Sequence, residues 1–142
     1  MTAKEFLNQY LDADRALDRK LEQLARLRAK SAKVTAIVGN ERVQGGIEGS
    51  RLEAIVEKIM DLEREISERI DDLKQKQSAV ESAIVRLDSN RERDVLTLKY
   101  ICGYSWEDIV QISGYSQRQT FRIHGEALKK IEKFLKNGSE CQ

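Results

Sequence analysis

The chain has 142 residues, with 25 Lys and Arg against 24 Asp and Glu, 40% hydrophobic and 6% aromatic residues, and no proline. That length suits one folded unit with an appendage and is too short for two full-sized cores, while the high charge and missing helix breakers favour long helices over sheets. No run approaches the roughly 20 apolar residues that span a bilayer, and Met1 to Tyr10 carries charge where a signal peptide needs an apolar stretch, so a soluble, cytoplasmic protein without a membrane partner is expected.

The first expected helix runs from Lys4 to about Lys33, where Leu7, Tyr10, Leu11, Leu17, Leu21 and Leu24 recur at three- and four-residue steps. Residues 34–50 lose that pattern and hold Gly39, Asn40, Gly45, Gly46 and Gly49, which reads as a long connection. A second helix follows from Arg51 to Leu87. In it Leu52, Ile59, Ile66, Leu73, Val80 and Leu87 fall every seventh residue, with Ile55, Leu62 and Ala83 at the complementary positions. Arg69 and Lys76 interrupt this seam, and Val56, Ile70 and Ile84 widen it. The stripe can pack on the first helix as a hairpin or pair with a second copy, and a homodimer through 51–87 is expected because a helix on the order of 55 Å long exceeds what one small domain covers.

Five Ser or Thr residues stand three positions before an acidic or amide side chain at the head of an apolar-periodic run: Thr2/Glu5, Ser50/Glu53, Ser89/Glu92, Ser105/Asp108 and Ser116/Gln119. That spacing lets the two residues cap a helix start reciprocally. The caps divide the end of the chain into Asn90–Cys102, stopped by Gly103, then Trp106–Ser113, stopped by Gly114, then Gln117–Leu135. Two turns of helix, Gly-Tyr-Ser and a longer capped helix make the spacing of a helix-turn-helix. The fold class is therefore all-α, with a long N-terminal helical hairpin or coiled-coil region over 1–88 and a helix-turn-helix domain over 89–142.

Charge is distributed unevenly. Residues 116–136 hold Arg118, Arg122, Lys129, Lys130, Lys133 and Lys136 against Glu126 and Glu132, whereas residues 1–90 are balanced. If Thr120, Ile123 and Ala127 face inward, then Gln117, Arg118, Gln119 and Arg122 point away from the core. Arg can bridge the two acceptors of guanine and Gln can match adenine, so these types suit readout in the major groove of double-stranded DNA. Lys129 and Lys130, with His124, would add phosphate contacts. Trp106 is expected as a core anchor.

Arg91-Glu92-Arg93-Asp94-Val95-Leu96, Leu98-Lys99-Tyr100, Ser105-Trp106-Glu107-Asp108-Ile109, and Gly114-Tyr115-Ser116 running to Ala127-Leu128-Lys129-Lys130-Ile131 resemble region 4 of the sigma-70 class of RNA polymerase sigma factors. More narrowly, Tyr115-Ser116-Gln117-Arg118-Gln119 and Arg122-Ile123-His124, with the helical N-terminal half and the Val43-Gln44-Gly45-Gly46 linker, resemble sigma-like transcription regulators encoded by phages and prophages of Gram-positive bacteria, the group that includes the ArpU-type late-gene regulators. The resemblance implies a sigma region 4 type of helix-turn-helix, a bacterial host cytoplasm, RNA polymerase as a candidate partner, and Gln117, Arg118, Gln119 and Arg122 at the positions that read the promoter −35 element. Ser113, Val110 and Thr120 depart from the sigma pattern of core Leu, Ala and Val, and no counterpart of the promoter-melting region 2 is present.

An enzyme is not expected. His124 has no nucleophile or carboxylate arranged beside it in a motif, Glu107 and Asp108 are adjacent on one helix and so diverge, and Cys102 and Cys141 are read as reduced thiols without metal-ligand spacing; no cofactor or metal follows. Two competing readings share the same pattern: a ring-forming protein like a phage small terminase subunit, and a helical adaptor that grips another protein.

Overall fold

The computed structural model describes residues 1–41 and 47–140, and among them every regular element is helical: α1 (Ala3–Glu41), α2 (Ile47–Val85), α3 (Asn90–Tyr100), α4 (Trp106–Ser113) and α5 (Gln117–Glu140). They build two compact units, one from Met1–Ala13 together with Leu73–Gln142, the other from Asp14–Asp72. The boundary expected at residue 88 falls inside the first of these. None of the helices among the described residues is long and apolar enough to cross a membrane.

The expected connection over residues 34–50 is mostly helix. α1 continues to Glu41 and α2 begins at Ile47, so only 42–46, which include the Val43–Gly46 linker, lie outside the described residues, as does Cys141. Val34, the first residue of this segment, is buried, whereas Ile37 and Ile47 further into it are exposed. Because α2 begins at Ile47, Ser50 sits inside its first turn rather than before it, and the Ser50/Glu53 cap is not made.

Of the other four caps, two form reciprocally and two in one direction only. Thr2 and Glu5 exchange backbone-to-side-chain hydrogen bonds of 3.2 Å each way; the Ser89 and Ser105 hydroxyls accept from the Glu92 and Asp108 N–H groups; Ser116 and Gln119 bond reciprocally at 3.1 Å. Each satisfies donors that a helix start leaves open. Gly103 and Gly114 end α3 and α4 with φ near +77°, a conformation that costs a side-chain-bearing residue strain, and the Gly114 N–H donates to the Val110 carbonyl.

In the first unit Ala3 and Leu7 of α1, Val80, Ala83 and Ile84 of α2, Leu87, then Leu96 and Tyr100 of α3 and Ala127 and Ile131 of α5 form one continuous core. The Arg93 guanidinium donates to the Leu87 carbonyl and to Asn90 Oδ1, tying down the short link between α2 and α3.

In the second unit Leu17, Leu24 and Val34 of α1 and Ile55, Leu62 and Ile66 of α2 are buried. Lys20 meets Glu65 at 3.2 Å and Arg28 meets Glu63 at 3.0 Å, so the two segments face each other with their numbering running in opposite directions. The Lys20 hydrogen bond, with help from Arg69, holds the Glu65 carboxyl below its usual pKa. Much of the heptad seam expected to join two copies is covered within the chain: Ile55, Leu62, Ile66, Val80, Ala83 and Leu87 are buried by its own residues. Leu52, Ile59 and Leu73 of the same seam are only partly buried, and Val56 and Met60 beside it are exposed.

Candidate nucleic-acid interface

α5 is amphipathic in the sense its sequence predicts. Thr120, Ile123, Ala127 and Ile131, at steps of three and four residues, are at most 7% exposed. Helical geometry then sends Arg118, Arg122, Gly125 and Lys129, at steps of four, three and four, to the opposite side. Arg118, Arg122 and Lys129 are exposed there, together with Gln117 at the helix start. Thr120, where the sigma pattern has Val, is fully buried because its hydroxyl donates to the Ser116 carbonyl at 2.9 Å and so needs no outside partner.

The first turn of α5 is set by Ser116 and Gln119. Gln119 Oε1 accepts from the Ser116 N–H while the Gln119 N–H donates to Ser116 Oγ, both at 3.1 Å. A bidentate match to adenine needs the same oxygen, so Gln119 is exposed but already engaged in holding the helix start. Gln117, Arg118 and Arg122 carry no such commitment.

His124 is not on the exposed face, which corrects its placement among the phosphate contacts. It is 9% exposed, its Nε2 lies 2.7 Å from the Tyr100 hydroxyl, and its ring stacks on Tyr100 and meets Trp106 edge-on with centroids 4.7 Å apart. Burial, reinforced by the charges of Lys4 and Lys99, pushes its pKa down to about 4, so the imidazole is neutral near pH 7. Burial likewise raises the Tyr100 phenol to about 12. A neutral ring sharing a hydrogen bond with a neutral phenol is a core pair, and it offers a phosphate no charge.

Lys130 is also diverted. Its ammonium contacts both carboxylate oxygens of Glu92, at 2.8 and 3.0 Å, and that hydrogen bond raises its pKa. Glu92 lies in the first turn of α3 and is 4% exposed, so a buried carboxylate is neutralised by a lysine reaching from α5. Removing either partner would leave the other unpaired. The Ser89/Glu92 spacing signalled a reciprocal cap, but the Glu92 side chain serves the tertiary pair instead; nothing local in the sequence distinguishes these uses.

Trp106 anchors α4 as expected, although it is only partly buried. Its ring meets Phe121 edge-on at 5.1 Å as well as His124, and Lys99 Nζ lies 4.8 Å above it, so one side chain sets α4 against both α3 and α5. A shallow cleft lined by Trp106, Glu107, Val110, Gln111 and Gln117 runs where α4 meets the start of α5. No cluster of His, Cys, Asp and Glu suited to a metal ion occurs among the described residues.

The exposed row on α5 is therefore Arg118, Arg122 and Lys129, with Gln117 and Gln119 exposed beside it at the helix start; His124 belongs to the interior packing, and Lys130, its side chain 47% exposed, is paired with the buried Glu92. Comparison with known proteins adds no name to this geometry: no family model, no curated protein and no solved structure matches the chain.

Proposed function

We propose that this protein is a sequence-specific double-stranded-DNA-binding transcription regulator, not an enzyme, and that α4, Gly114–Ser116 and α5 act as a helix-turn-helix of the sigma region 4 type with α5 as the recognition helix. The observation that carries this reading is the exposed row of Arg118, Arg122 and Lys129 directly opposite the buried row of Thr120, Ile123, Ala127 and Ile131. α5 starts on a reciprocal cap, so Gln117 and Arg118 project from a rigid helix end rather than from a fraying one. Arg118 and Arg122 read base edges in the major groove, and Lys129 holds phosphate.

The resemblance to sigma-like regulators of phages and prophages supplies the biological frame: action at a promoter in a bacterial cytoplasm, with RNA polymerase as candidate protein partner. The N-terminal residues 14–72 are proposed as a helical hairpin.

The test is selection of genome fragments by the purified protein near physiological salt, followed by sequencing. Enrichment of one short site upstream of a transcription unit is the expected result. Enrichment at a DNA-packaging region would move the protein to the small-terminase reading, and no retention at any salt concentration would leave the adaptor. The adaptor draws on a separate observation: Ile112 is 54% exposed beside a groove lined by Thr97, Leu98 and Tyr115, a surface suited to another protein.

A further inference from the structure

α5 carries a glycine in the middle of its polar face, and nothing inside the chain accounts for it. Gly125 lies well within the helix and has ordinary helical backbone, unlike Gly103 and Gly114. A Cβ added there would meet no heavy atom of the chain within 4 Å. A glycine inside a helix costs ~0.5–1 kcal/mol relative to alanine, so alanine would fit and would stabilise the helix. Turns, left-handed backbone and close packing against a neighbouring element, the internal reasons for glycine, are all excluded by this geometry. The missing side chain leaves open space on the helix surface, where something outside the chain can come close to the backbone.

Its position says what that is. Arg118, Arg122, Gly125 and Lys129 occupy one row on the helix, so the glycine makes a notch in a line of cations, with Arg122 just before it and Lys129 just after. A polyanionic strand drawn in by those cations meets bare backbone at this point. We propose that Gly125 is the point of closest approach between α5 and the sugar-phosphate backbone of a DNA strand, which crosses the helix there between Arg122 and Lys129. The inference rests on the DNA-binding reading above and adds a contact that carries no side chain.

Gly49 provides an internal control. It too is helical with nothing within 4 Å of a built Cβ, but its neighbours one turn along α2 are Leu52 and Glu53, not a row of cations. The full-length chain and its Gly125→Ala, Gly125→Leu and Gly49→Ala variants are compared by thermal unfolding and by binding to a mixed-sequence DNA duplex over a salt series. Gly125→Ala is expected to melt ~2–4 °C higher while binding about tenfold more weakly, the loss that forcing one methyl group into a close contact produces. Gly125→Leu should bind more weakly still, and Gly49→Ala should keep the parent affinity. A Gly125→Ala variant that binds as the parent does overturns the inference and leaves the DNA-binding reading standing; so does one that melts lower, since the glycine would then have an internal role. A parent chain with no salt-dependent affinity for the duplex overturns the DNA-binding reading and this inference with it.

Discussion

The two units hold themselves together by different means. Every aromatic residue belongs to the unit made of Met1–Ala13 and Leu73–Gln142, and Asp14–Asp72 has none. The first unit closes its core with residues from α1, α2, α3 and α5, a Tyr100–His124 hydrogen bond and a buried carboxylate on Glu92. The second relies on one aliphatic stripe per helix and on ion pairs at the surface. Polar groups thus carry structural consequence in the first unit, where water is excluded, and little in the second, where water screens them. The unit with the interlocked core is also the one that holds the exposed cations of α5, as the recognition surface proposed above requires.

The largest expected effect is at Trp106. Trp106→Ala removes the contact between α4 and both Phe121 and His124 and should cost ~3–5 kcal/mol in urea unfolding; a loss below ~1 kcal/mol would show that α4 is held in some other way. Next comes acid. His124 binds a proton in the unfolded chain near its ordinary pKa of 6.5 but in the folded chain only near 4. Stability is therefore unaffected above about pH 6.5, falls as pH drops from there to about 4, and levels off below, by up to ~3 kcal/mol. His124→Gln should flatten the unfolding curve over that window, and an unchanged pH profile would remove the buried-imidazole account.

Smaller again is the Glu92–Lys130 pair, and it separates two adjacent lysines. Lys130→Met strands a buried carboxylate and should cost ~1–3 kcal/mol of stability; Lys129→Met should leave stability within ~0.5 kcal/mol and lower the salt slope of DNA binding by about one. The reverse pattern would exchange their roles. The smallest effect belongs to the second unit: Arg28→Ala breaks a pair whose side chains are 61% and 48% exposed and should change stability by under ~0.5 kcal/mol. A larger loss there would erase the contrast between the units.

The helical class, four of the five caps, the bounds of α4 and the inward row of α5 were legible in the sequence because each depends on residues within one or two turns of one another. The ends of α1 and α2 were not. Glycine and asparagine at 39–40 argue locally for a break, yet α1 continues through them to Glu41. The site divides the same way. Arg118, Arg122 and Lys129 are outward by helical period alone and Gln117 by its place at the helix start, whereas His124 and Lys130 carry polar side chains that read as surface until Tyr100 and Glu92, 24 and 38 residues away, are brought beside them.

Composition, period and caps by themselves determined that this chain is helical, where its short helices begin, and which side of α5 carries positive charge. Tertiary structure alone decided which of those polar residues remain outside and how much of the heptad seam the chain itself buries. The reason is physical: period and capping are local properties of one helix, but the desolvation of a carboxylate, an imidazole or an apolar stripe depends on what distant segments of the chain are folded against it.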